Sequence, residues 1–383
     1  MWDPTSDWDD LLAWAALVRA PGLDVAAVAA ALDLLGRPAA IITASDTLRS
    51  RAAIPAVTRA FLSSSAAIPA AAERAWLGSA HHYLIPFTDP RYPQLLLSLP
   101  DCPIALYVSG RVETLADPQL AIVGSRCPTP QGRETARAFA EYLGERGLVI
   151  TSGLAEGIDA CAHYGALQAQ GVTLGVLGTG MDIVYPRCNQ RLCEDIERQG
   201  ALVSEFPLGT PPRRGNFPRR NRIIAALSLG TLVVEAALRS GSLITARLAN
   251  SYGREVFAIP GSIHNPLSRG CHQLIKAGAK LAETADDILR ELNFSTFFAN
   301  DLHARDEALP RPRHASGMDK DHKILLDALG FDPVDLDTLV VRTGFKPEAV
   351  SSMMLILELE GHVQAAPGGR YSRVAYRRAG GER

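Results

Sequence analysis

Five arginines lie between residues 213 and 222 of this 383-residue chain, with one aromatic side chain, Phe217, among them. A guanidinium fork matches the oxygens of a phosphate group, and an exposed phenylalanine can stack on a nucleobase. Arginines near the start of a helix also oppose the helix dipole, so they favour an anionic partner. The segment therefore predicts contact with a nucleic-acid backbone; the alternative is a solvated run of charge.

Glycine and hydroxyl residues follow two short apolar runs, which begin near residues 121 and 148. A helical pattern comes after each loop, so the chain reads strand, tight loop, helix, twice over. Such crossovers imply parallel strands, and ligands of parallel sheets bind at the carboxyl ends of the strands. Small residues let backbone N–H groups approach an anion there, and the helix N-terminus adds positive potential. The candidate phosphate contacts are Gly124, Ser125, Arg126, Ser152 and Gly153.

Other loops at the same predicted sheet edge also carry possible donors. Ser240, Gly241 and Ser242 form a loop at the start of a helix, and Arg187 lies near another strand end. The arginine-rich segment adds candidates of its own, which are Phe217, Arg219, Arg220, Asn221 and Arg222. Because Gly or Ser stands at nearly every predicted strand end, we expect an extended ligand groove along this edge.

The motifs of several enzyme and cofactor classes are missing. No G-x-G-x-x-G follows the first strand, so a nicotinamide or flavin is not favoured and no cofactor is expected. G-x-S-x-G, H-E-x-x-H and G-x-x-x-x-G-K-[ST] do not occur either. Four acids near strand ends could serve as general acid or base, but carboxylates beside arginines more often orient them, so we do not expect an enzyme. These acids are Asp159, Asp182, Glu205 and Glu235.

Composition sets limits on the partners and the cellular compartment. The net charge of −2 gives no global attraction to nucleic acid or membrane, so any basic site must be local. The six cysteines include no C-x-x-C pair, which predicts reduced cytosolic thiols and no metal site. The polar, acidic N-terminus is not a signal peptide, and no uninterrupted apolar run reaches the length of a membrane span. We therefore expect a cytoplasmic protein.

The chain divides into four predicted segments. Residues 1–80 are Ala-rich with helical periodicity and predict an all-helical domain, similar to a SAM or helix-hairpin-helix domain, which could also be plain helical hairpins. Residues 81–298 alternate strands and helices and predict an α/β domain, an extended Rossmann-like, doubly wound, mostly parallel sheet with about seven core strands. Residues 299–317 are charged and contain prolines, which predicts a linker. Residues 318–383 form the last segment.

Three helices and a short hairpin are predicted for residues 318–383, the pattern of a winged-helix-like domain. Its third helix begins at Pro347, a residue typical of the first helical position. That helix carries serines and methionines at 351–354 where a reader of duplex DNA would carry Arg or Lys. A contact with another protein is therefore a comparable alternative to groove binding.

With these pieces assembled, the chain strongly resembles the DNA-processing protein A (DprA/Smf) family over about residues 81–292. The matching motifs run in family order: AIVGSR at 121–126, SGLA at 152–155, GIDA at 157–160, AH at 162–163, YP at 185–186 with Asn189, SE at 204–205, FP at 217–218, RNRII at 220–224, VEA at 234–236, SGSLITA at 240–246, REVFA at 254–258 and PG at 260–261. The flanking segments resemble the family's optional helical and winged-helix domains.

This resemblance implies a cytosolic single-stranded-DNA-binding protein of natural transformation. Such proteins protect incoming DNA, load the RecA recombinase onto it, form homodimers through the Rossmann-like domain, and have no implied catalytic activity. The family's DNA or phosphate contacts carry over onto Gly124, Ser125, Arg126, Ser152, Gly153, Phe217, Arg220, Asn221 and Arg222, with 240–242 in addition. Glu156 stands where the family usually has Arg. A carboxylate would repel phosphate there, so a basic contact is lost or replaced by a role in orienting an arginine.

Two other functions remain open on the sequence. Residues 230–235 faintly resemble the Gly-Thr-x-x-Glu segment of phosphoribohydrolase-like Rossmann enzymes, although the Pro-Gly-Gly lead-in is missing. Release of free base from nucleoside monophosphates would support this nucleotide-processing alternative. A protein-interaction scaffold is the third possibility, and a gel shift with a single-stranded oligonucleotide would separate it from a DNA-binding protein.

Overall fold

The computed structural model describes residues 8–64, 71–294, 320–330, 333–366 and 368–374, and the predicted linker at 299–317 lies outside them. Six short helices come first: α1 (Trp8–Arg19), α2 (Val25–Leu35), α3 (Pro38–Thr43), α4 (Asp46–Arg51), α5 (Ala56–Leu62) and α6 (Ala71–Leu77). Asp24 caps α2, and Ser45 caps α4, by accepting hydrogen bonds from backbone N–H groups of the first turn.

A nine-stranded sheet forms the centre of the molecule. Its strands are β1 (His82–Pro86), β2 (Ala105–Gly110), β3 (Gln119–Val123), β4 (Val149–Ser152), β5 (Thr173–Val176), β6 (Ala201–Ser204), β7 (Gly230–Val233), β8 (Glu255–Ala258) and β9 (Lys280–Leu281). The strands lie in the order β1-β2-β6-β5-β4-β3-β7-β8-β9. The seven from β6 to β9 are parallel, while β1 and β2 continue the sheet as antiparallel strands. The predicted mostly parallel, doubly wound sheet is confirmed.

Helices cover both faces of this sheet. In chain order they are α7 (Gln94–Leu97), α8 (Pro130–Glu145), α9 (Ile158–Gln168), α10 (Gln190–Gln199), α11 (Asn216–Leu227), α12 (Ser242–Ser251), α13 (Arg269–Lys276) and α14 (Ala285–Glu291). Alternate side chains of each strand point to opposite faces: Ala121 joins the core beneath α11 and α12, and Ile122 joins the core beneath α8 and α9. Both faces are therefore buried, as a parallel sheet requires.

Helix α11 begins four residues before the position expected from the sequence. The apolar pattern indicates a start at Arg220, but the helix already includes Asn216, Phe217 and Pro218. Proline is tolerated in the first turn of a helix because its missing N–H has no partner to lose there. The earlier start places Phe217 on the first helical turn, close to the strand ends.

The N-terminal helices share a hydrophobic core with the edge of the sheet. Leu17 and Ile41 belong to the same buried cluster as Leu84 of β1 and Tyr107 of β2. The Tyr107 hydroxyl donates to Glu73 Oε1 at 2.5 Å, and Arg19 pairs with Glu73 Oε2 at 2.9 Å. The helical segment is therefore packed onto β1 and β2 through both apolar contacts and a buried polar cluster.

The C-terminal segment has the predicted winged-helix elements. Helices α15 (Lys320–Leu329), α16 (Leu336–Thr343) and α17 (Pro347–Leu359) pack on a small sheet of β10 (Val334–Asp335), β11 (Val363–Ala366) and β12 (Arg370–Arg373). The hairpin pairs β11 with β12 in antiparallel register. Over the described parts of the chain, no helix combines the length and apolar character that crossing a membrane requires.

Candidate nucleic-acid interface

The carboxyl ends of the parallel strands come together at one edge of the sheet. The loops that leave this edge carry Gly124 after β3, Gly153 after β4, Gly178 after β5 and Glu205 after β6. Neighbouring loops contact one another: a Cβ on Gly157 would overlap the carbonyl oxygens of the 125–126 segment. The loops after β3 and β4 therefore form one surface, and this is the edge at which parallel sheets bind ligands.

A small cleft of about 80 Å³ opens between these loops and the start of α11. Of the residues predicted to contact DNA, four line it: Arg126, Gly153, Phe217 and Arg220. The other lining residues are Ala155, Glu156, Tyr185 and Pro186. The cleft therefore combines positive charge, aromatic surface and one carboxylate.

The aromatic part of the cleft has an arginine beside it. The Arg126 guanidinium carbon lies 5.5 Å from the centroid of the Phe217 ring, within the range of a cation–π contact. The Tyr185 ring lies 5.6 Å from the Phe217 ring at an angle of 43°. Arg126 and Tyr185 are both exposed, and Phe217 is half-buried. The Tyr185 ring and the Arg126 guanidinium are thus accessible from solvent beside the half-buried Phe217 ring, and aromatic and cationic groups together can bind a base and its phosphate.

Arg220 is buried and forms the floor of the cleft. Its Nη1 donates hydrogen bonds of 2.5 Å to the carbonyl oxygens of Gly153 and Val176, at the ends of β4 and β5. Burial lowers the pKa of Arg220 to about 10, while the nearby Asp159 carboxylate opposes that shift. The side chain therefore stays cationic at neutral pH and holds two strand ends together beneath the cleft.

Arg222, in contrast, pairs with two carboxylates of the protein. Its Nη2 donates to Glu205 Oε2 at 2.5 Å, and its Nε lies 3.0 Å from Asp101 Oδ2. Only 5% of the side chain is exposed. Arg219 pairs with the same Glu205 oxygen at 2.9 Å but remains 60% exposed. Burial and the two carboxylates hold the Arg222 guanidinium within the protein, and the direct phosphate contact expected at Arg222 stays a prediction.

The loop after β4 also uses its donors internally. The Ser152 hydroxyl is fully buried and donates to the Ile122 carbonyl at 2.6 Å. The Gly153 N–H donates to the Asp159 carboxylate at 3.2 Å. A Cβ on Gly153 would overlap the Arg220 guanidinium, so glycine is needed here for the packing of Arg220. Ser152 and the Gly153 N–H thus hydrogen-bond within the protein, and their expected phosphate contacts stay predictions.

The remaining predicted contacts do not line the cleft. A Cβ on Gly124 would overlap Ile158, and the Ser125 hydroxyl accepts from the Cys127 N–H at 3.2 Å. Arg187 is exposed in a short 3-10 turn, and Asn221 is half-buried on α11. The loop at 240–242 follows β7, and its two serine hydroxyls hydrogen-bond to each other at 2.7 Å. The structure therefore does not gather all the predicted residues into one groove.

The four acids considered for catalysis all have structural partners. Asp159 and Glu205 bind the donors described above, and in both cases burial raises the carboxyl pKa while neighbouring arginines oppose the shift. Asp182 accepts the Gly209 N–H at 2.8 Å. Glu235 accepts the Thr129 N–H at 2.9 Å and the Thr129 hydroxyl at 2.6 Å, at the N-terminus of α8. Each carboxylate thus positions backbone or arginine.

Glu235 occupies the place where a Rossmann fold would hold a pyrophosphate. The sheet order changes direction between β3 and β7, and dinucleotides bind at such a switch point over the first helix N-terminus. Here that N-terminus belongs to α8, and a Cβ on Gly132 in its first turn would overlap the Glu235 carboxylate. A dinucleotide bound at this position would have to displace the Glu235 carboxylate.

The predicted individual contacts leave out Tyr185, and they include Arg213 and Arg214 only as members of the arginine-rich segment. Tyr185 lines the cleft, yet it appeared only as part of a motif and was not chosen as a contact. Arg213 and Arg214 are exposed in the loop before α11, where no carboxylate pairs with them among the residues that the structure describes. Their position in the loop before α11 could have indicated their exposure from the sequence. Arginines in a loop remain exposed, whereas the packing of α11 on the sheet buries Arg220 and Arg222.

The exposed face of α17 carries no basic side chain. Leu355 and Leu359 are 58% and 81% exposed, and the charged residues of the helix are Glu348 and Glu358. An acidic and apolar helix does not complement the phosphates of a DNA groove. The exposed face of α17 therefore offers no cationic side chain for a phosphate contact.

Comparison with known proteins identifies relatives for both folded regions. Residues 83–293 match the family model of the DNA recombination-mediator protein A, and residues 309–369 match the DprA winged helix domain. Protein Smf of Escherichia coli is 47% identical over 305 residues, which cover 77% of this chain and 78% of that protein. The chain is thus related to its match over most of both lengths.

Two solved structures are also similar. DNA processing protein A of Streptococcus pneumoniae has a TM-score of 0.60 and 36% identity, over 74% of this chain and 97% of that one. DNA processing protein A of Helicobacter pylori, described with a single-stranded DNA binding mode, has a TM-score of 0.50 and 32% identity, over 53% of this chain and 93% of that one.

Proposed function

We propose that this chain, which belongs to the DNA recombination-mediator protein A (DprA/Smf) family, binds single-stranded DNA at the carboxyl edge of its sheet. The observation that carries the proposal is the cleft in which Arg126 lies against Phe217, with Tyr185 beside them. Every base has an aromatic face, so stacking on these rings is independent of sequence. The H. pylori relative, described with a single-stranded DNA binding mode, supports single-stranded DNA as the ligand of this chain.

The positive charges at this sheet edge suit a flexible single strand of DNA. Arg126, Arg187, Arg213 and Arg214 are exposed around the loops, whereas Arg220 is buried beneath the cleft. Unpaired cations on separate loops can follow a single-stranded backbone, and the aromatic rings require bases that are not already stacked in a duplex. We therefore expect single strands to bind more tightly than duplex DNA.

The cellular role follows from the family and stays a proposal for this chain. A recombination mediator protects single strands during natural transformation and delivers them to the RecA recombinase. We propose that the protein acts in the cytoplasm as a homodimer formed by its Rossmann-like domain, without a catalytic step. Light scattering of the purified chain would test the dimer, and strand exchange by RecA in its presence would test the delivery.

A mobility shift with single- and double-stranded DNA of equal length tests the binding directly. We expect a shift with the single strand at protein concentrations that leave the duplex unshifted. Binding should weaken with salt, at a log–log slope of about −0.7 for each phosphate contacted. Equal affinity for both forms, or affinity independent of salt, would contradict the proposal. Nucleoside monophosphates in the same buffer should release no base; release would support the nucleotide-processing alternative.

A further inference from the structure

Glu156 is a carboxylate exposed inside a cleft that otherwise suits an anion. It lies in the turn before α9 and lines the cleft together with Arg126 and Arg220. No ion pair joins Glu156 to either arginine, or to any other side chain of the part that the structure describes. Its one hydrogen bond within those residues comes from the Cys188 thiol, at 3.5 Å. The carboxylate is therefore not used to orient an arginine.

This geometry separates the paths of the backbone and the bases of a bound strand. Glu156 repels phosphates, so the DNA backbone is expected to follow the exposed arginines of the surrounding loops and to avoid the carboxylate. The group that approaches Glu156 must instead be uncharged and must donate hydrogen bonds, because an ionised carboxylate only accepts them. A base stacked on Phe217 or Tyr185 has its Watson–Crick edge free to make such contacts.

The four bases differ in the hydrogen-bonding groups that their Watson–Crick edges present to a carboxylate. Guanine presents two adjacent donors, the N1–H and the N2 amino group, which fit the two oxygens of a carboxylate. Cytosine and adenine each present one amino group beside a ring nitrogen that accepts, and thymine places its one N–H between two carbonyl oxygens. Acceptors that face a carboxylate are repelled, so guanine is the base best complemented by Glu156.

We propose that Glu156 gives this cleft a preference for guanine, by accepting a bidentate hydrogen bond from a base that stacks on Phe217 and Tyr185. The inference rests on the proposed binding of single-stranded DNA and adds a specificity-determining residue to it. The Cys188 thiol is a weak donor and is readily displaced by the stronger donors of a base. The strand would then bind without strict sequence dependence but with one favoured base in the cleft.

Fluorescence anisotropy with the full-length chain tests the preference. The probes are labelled thymidine strands that carry isolated dG, dC or dA residues at matched positions, in lithium buffer so that guanines do not associate. We expect the dG strand to bind roughly fivefold more tightly than the all-thymidine strand, the lower end of the discrimination that one bidentate base contact provides. The dC and dA strands should lie close to the thymidine strand.

Glu156→Gln should reduce the guanine preference to less than about twofold, since an amide cannot accept two hydrogen bonds side by side. The same change should raise affinity for all strands, because it removes a charge that repels phosphate. Glu194→Gln on α10 is the matched control; its side chain is exposed, lies outside the cleft lining and accepts from Gln190 at 3.2 Å. It should leave the guanine preference unchanged.

Three outcomes would overturn the inference. Equal binding of the four strands by the unmodified chain would show that Glu156 selects no base. A guanine preference that survives Glu156→Gln would assign the selection to another residue. Failure to bind any single strand would instead contradict the proposed function, and the preference with it, so the two failures are distinguishable.

Discussion

Arginines only a few positions apart have different roles in this protein. Arg220 and Arg222 are buried, whereas Arg126 and Arg213 are exposed. Burial decides the role, because a desolvated guanidinium needs partners within the protein while an exposed one is free for a ligand. At the residue scale, DNA binding and folding stability should therefore respond to different arginines.

Replacing Arg126 should weaken DNA binding without unfolding the protein. Arg126→Ala removes an exposed cation of the cleft, so we expect lower affinity for a single strand and a salt slope shallower by about 0.7. Anisotropy titrations across a range of salt concentrations measure both. Arg198→Ala is the control, because Arg198 is 71% exposed on α10 and does not line the cleft; an equal loss of affinity in both variants would contradict the assignment.

Replacing Arg222 should mainly destabilise the fold. Arg222→Ala leaves the buried Glu205 with only the exposed Arg219 as a partner. Removing one member of a buried ion pair costs about 3–5 kcal/mol. Chemical denaturation of the variant measures this loss. A variant as stable as the unmodified chain, but unable to bind DNA, would restore Arg222 as a phosphate contact.

His163 should make stability depend on pH. Burial lowers its pKa to about 3, and the Arg220 charge acts in the same direction. In the unfolded chain the imidazole takes up a proton below about pH 6.5, whereas in the folded chain it stays neutral down to about pH 3. The unfolded state binds more protons within this window, so stability falls as pH decreases from about 6.5 to about 3, by roughly 1.4 kcal/mol per pH unit from this residue.

Thermal unfolding of the chain and of His163→Gln between neutral and acidic pH checks this prediction. The variant lacks the titrating ring, so the difference between the two melting curves isolates its effect from that of the carboxylates. Melting temperatures that fall in parallel with decreasing pH would show that His163 does not contribute.

At the scale of elements, the β3–α8 unit resembles a phosphate-binding turn but is closed by the chain itself. Glu235, from the loop after β7, caps α8 through Thr129. Gly132 lies directly against that carboxylate. This contact joins elements from the two sides of the switch point, and it leaves the cleft near the start of α11 as the place for an external anion.

The Glu235 cap makes glycine necessary at position 132. Gly132→Ala places a methyl group where the Glu235 carboxylate lies, and overpacking of this kind costs about 1–3 kcal/mol. Gly241→Ala is the matched control, because Gly241 has φ near −62° and no atom within 4 Å of a Cβ. That change should be neutral or stabilising by about 0.4–1 kcal/mol. Urea denaturation of both variants compares them, and equal stabilities would contradict the cap.

At the scale of the whole molecule, a nearly neutral chain places several exposed arginines on the loops of one sheet edge. The net charge is −2, yet the loops after β3, β5 and β6 present exposed arginines. The N-terminal helices do not form a separate core, because their apolar side chains share one cluster with β1 and β2. The predicted division at residue 80 therefore crosses a continuous hydrophobic core.

Removing residues 1–80 should expose the edge of the sheet. Leu84, Ala105 and Tyr107 would lose their cover, and the Tyr107 hydroxyl would lose Glu73. A contiguous apolar surface of this kind favours association. We expect the truncated chain to bind a hydrophobic dye and to elute as larger species in gel filtration. A monodisperse truncated chain with an unchanged melting temperature would show that the segment folds independently.

Much of the architecture was determined by local sequence. The alternating apolar runs and helical patterns predicted about seven core strands, and the structure has seven parallel strands. The glycines and hydroxyls at the strand ends indicated which edge carries the loops. These features are local, because strand and helix periodicity and tight turns depend on neighbouring residues.

The tertiary structure alone decided which of these polar groups have partners within the protein. Arg222 pairs with the carboxylates of Asp101 and Glu205. The Ser152 hydroxyl donates to the Ile122 carbonyl, and the Gly153 N–H donates to Asp159. Whether a polar group is free depends on partners from distant parts of the chain, and the cost of leaving a buried group unpaired assigns those partners first. The sequence could therefore indicate the cationic edge, whereas only the packing of α11 on the sheet separated the exposed arginines from the buried ones.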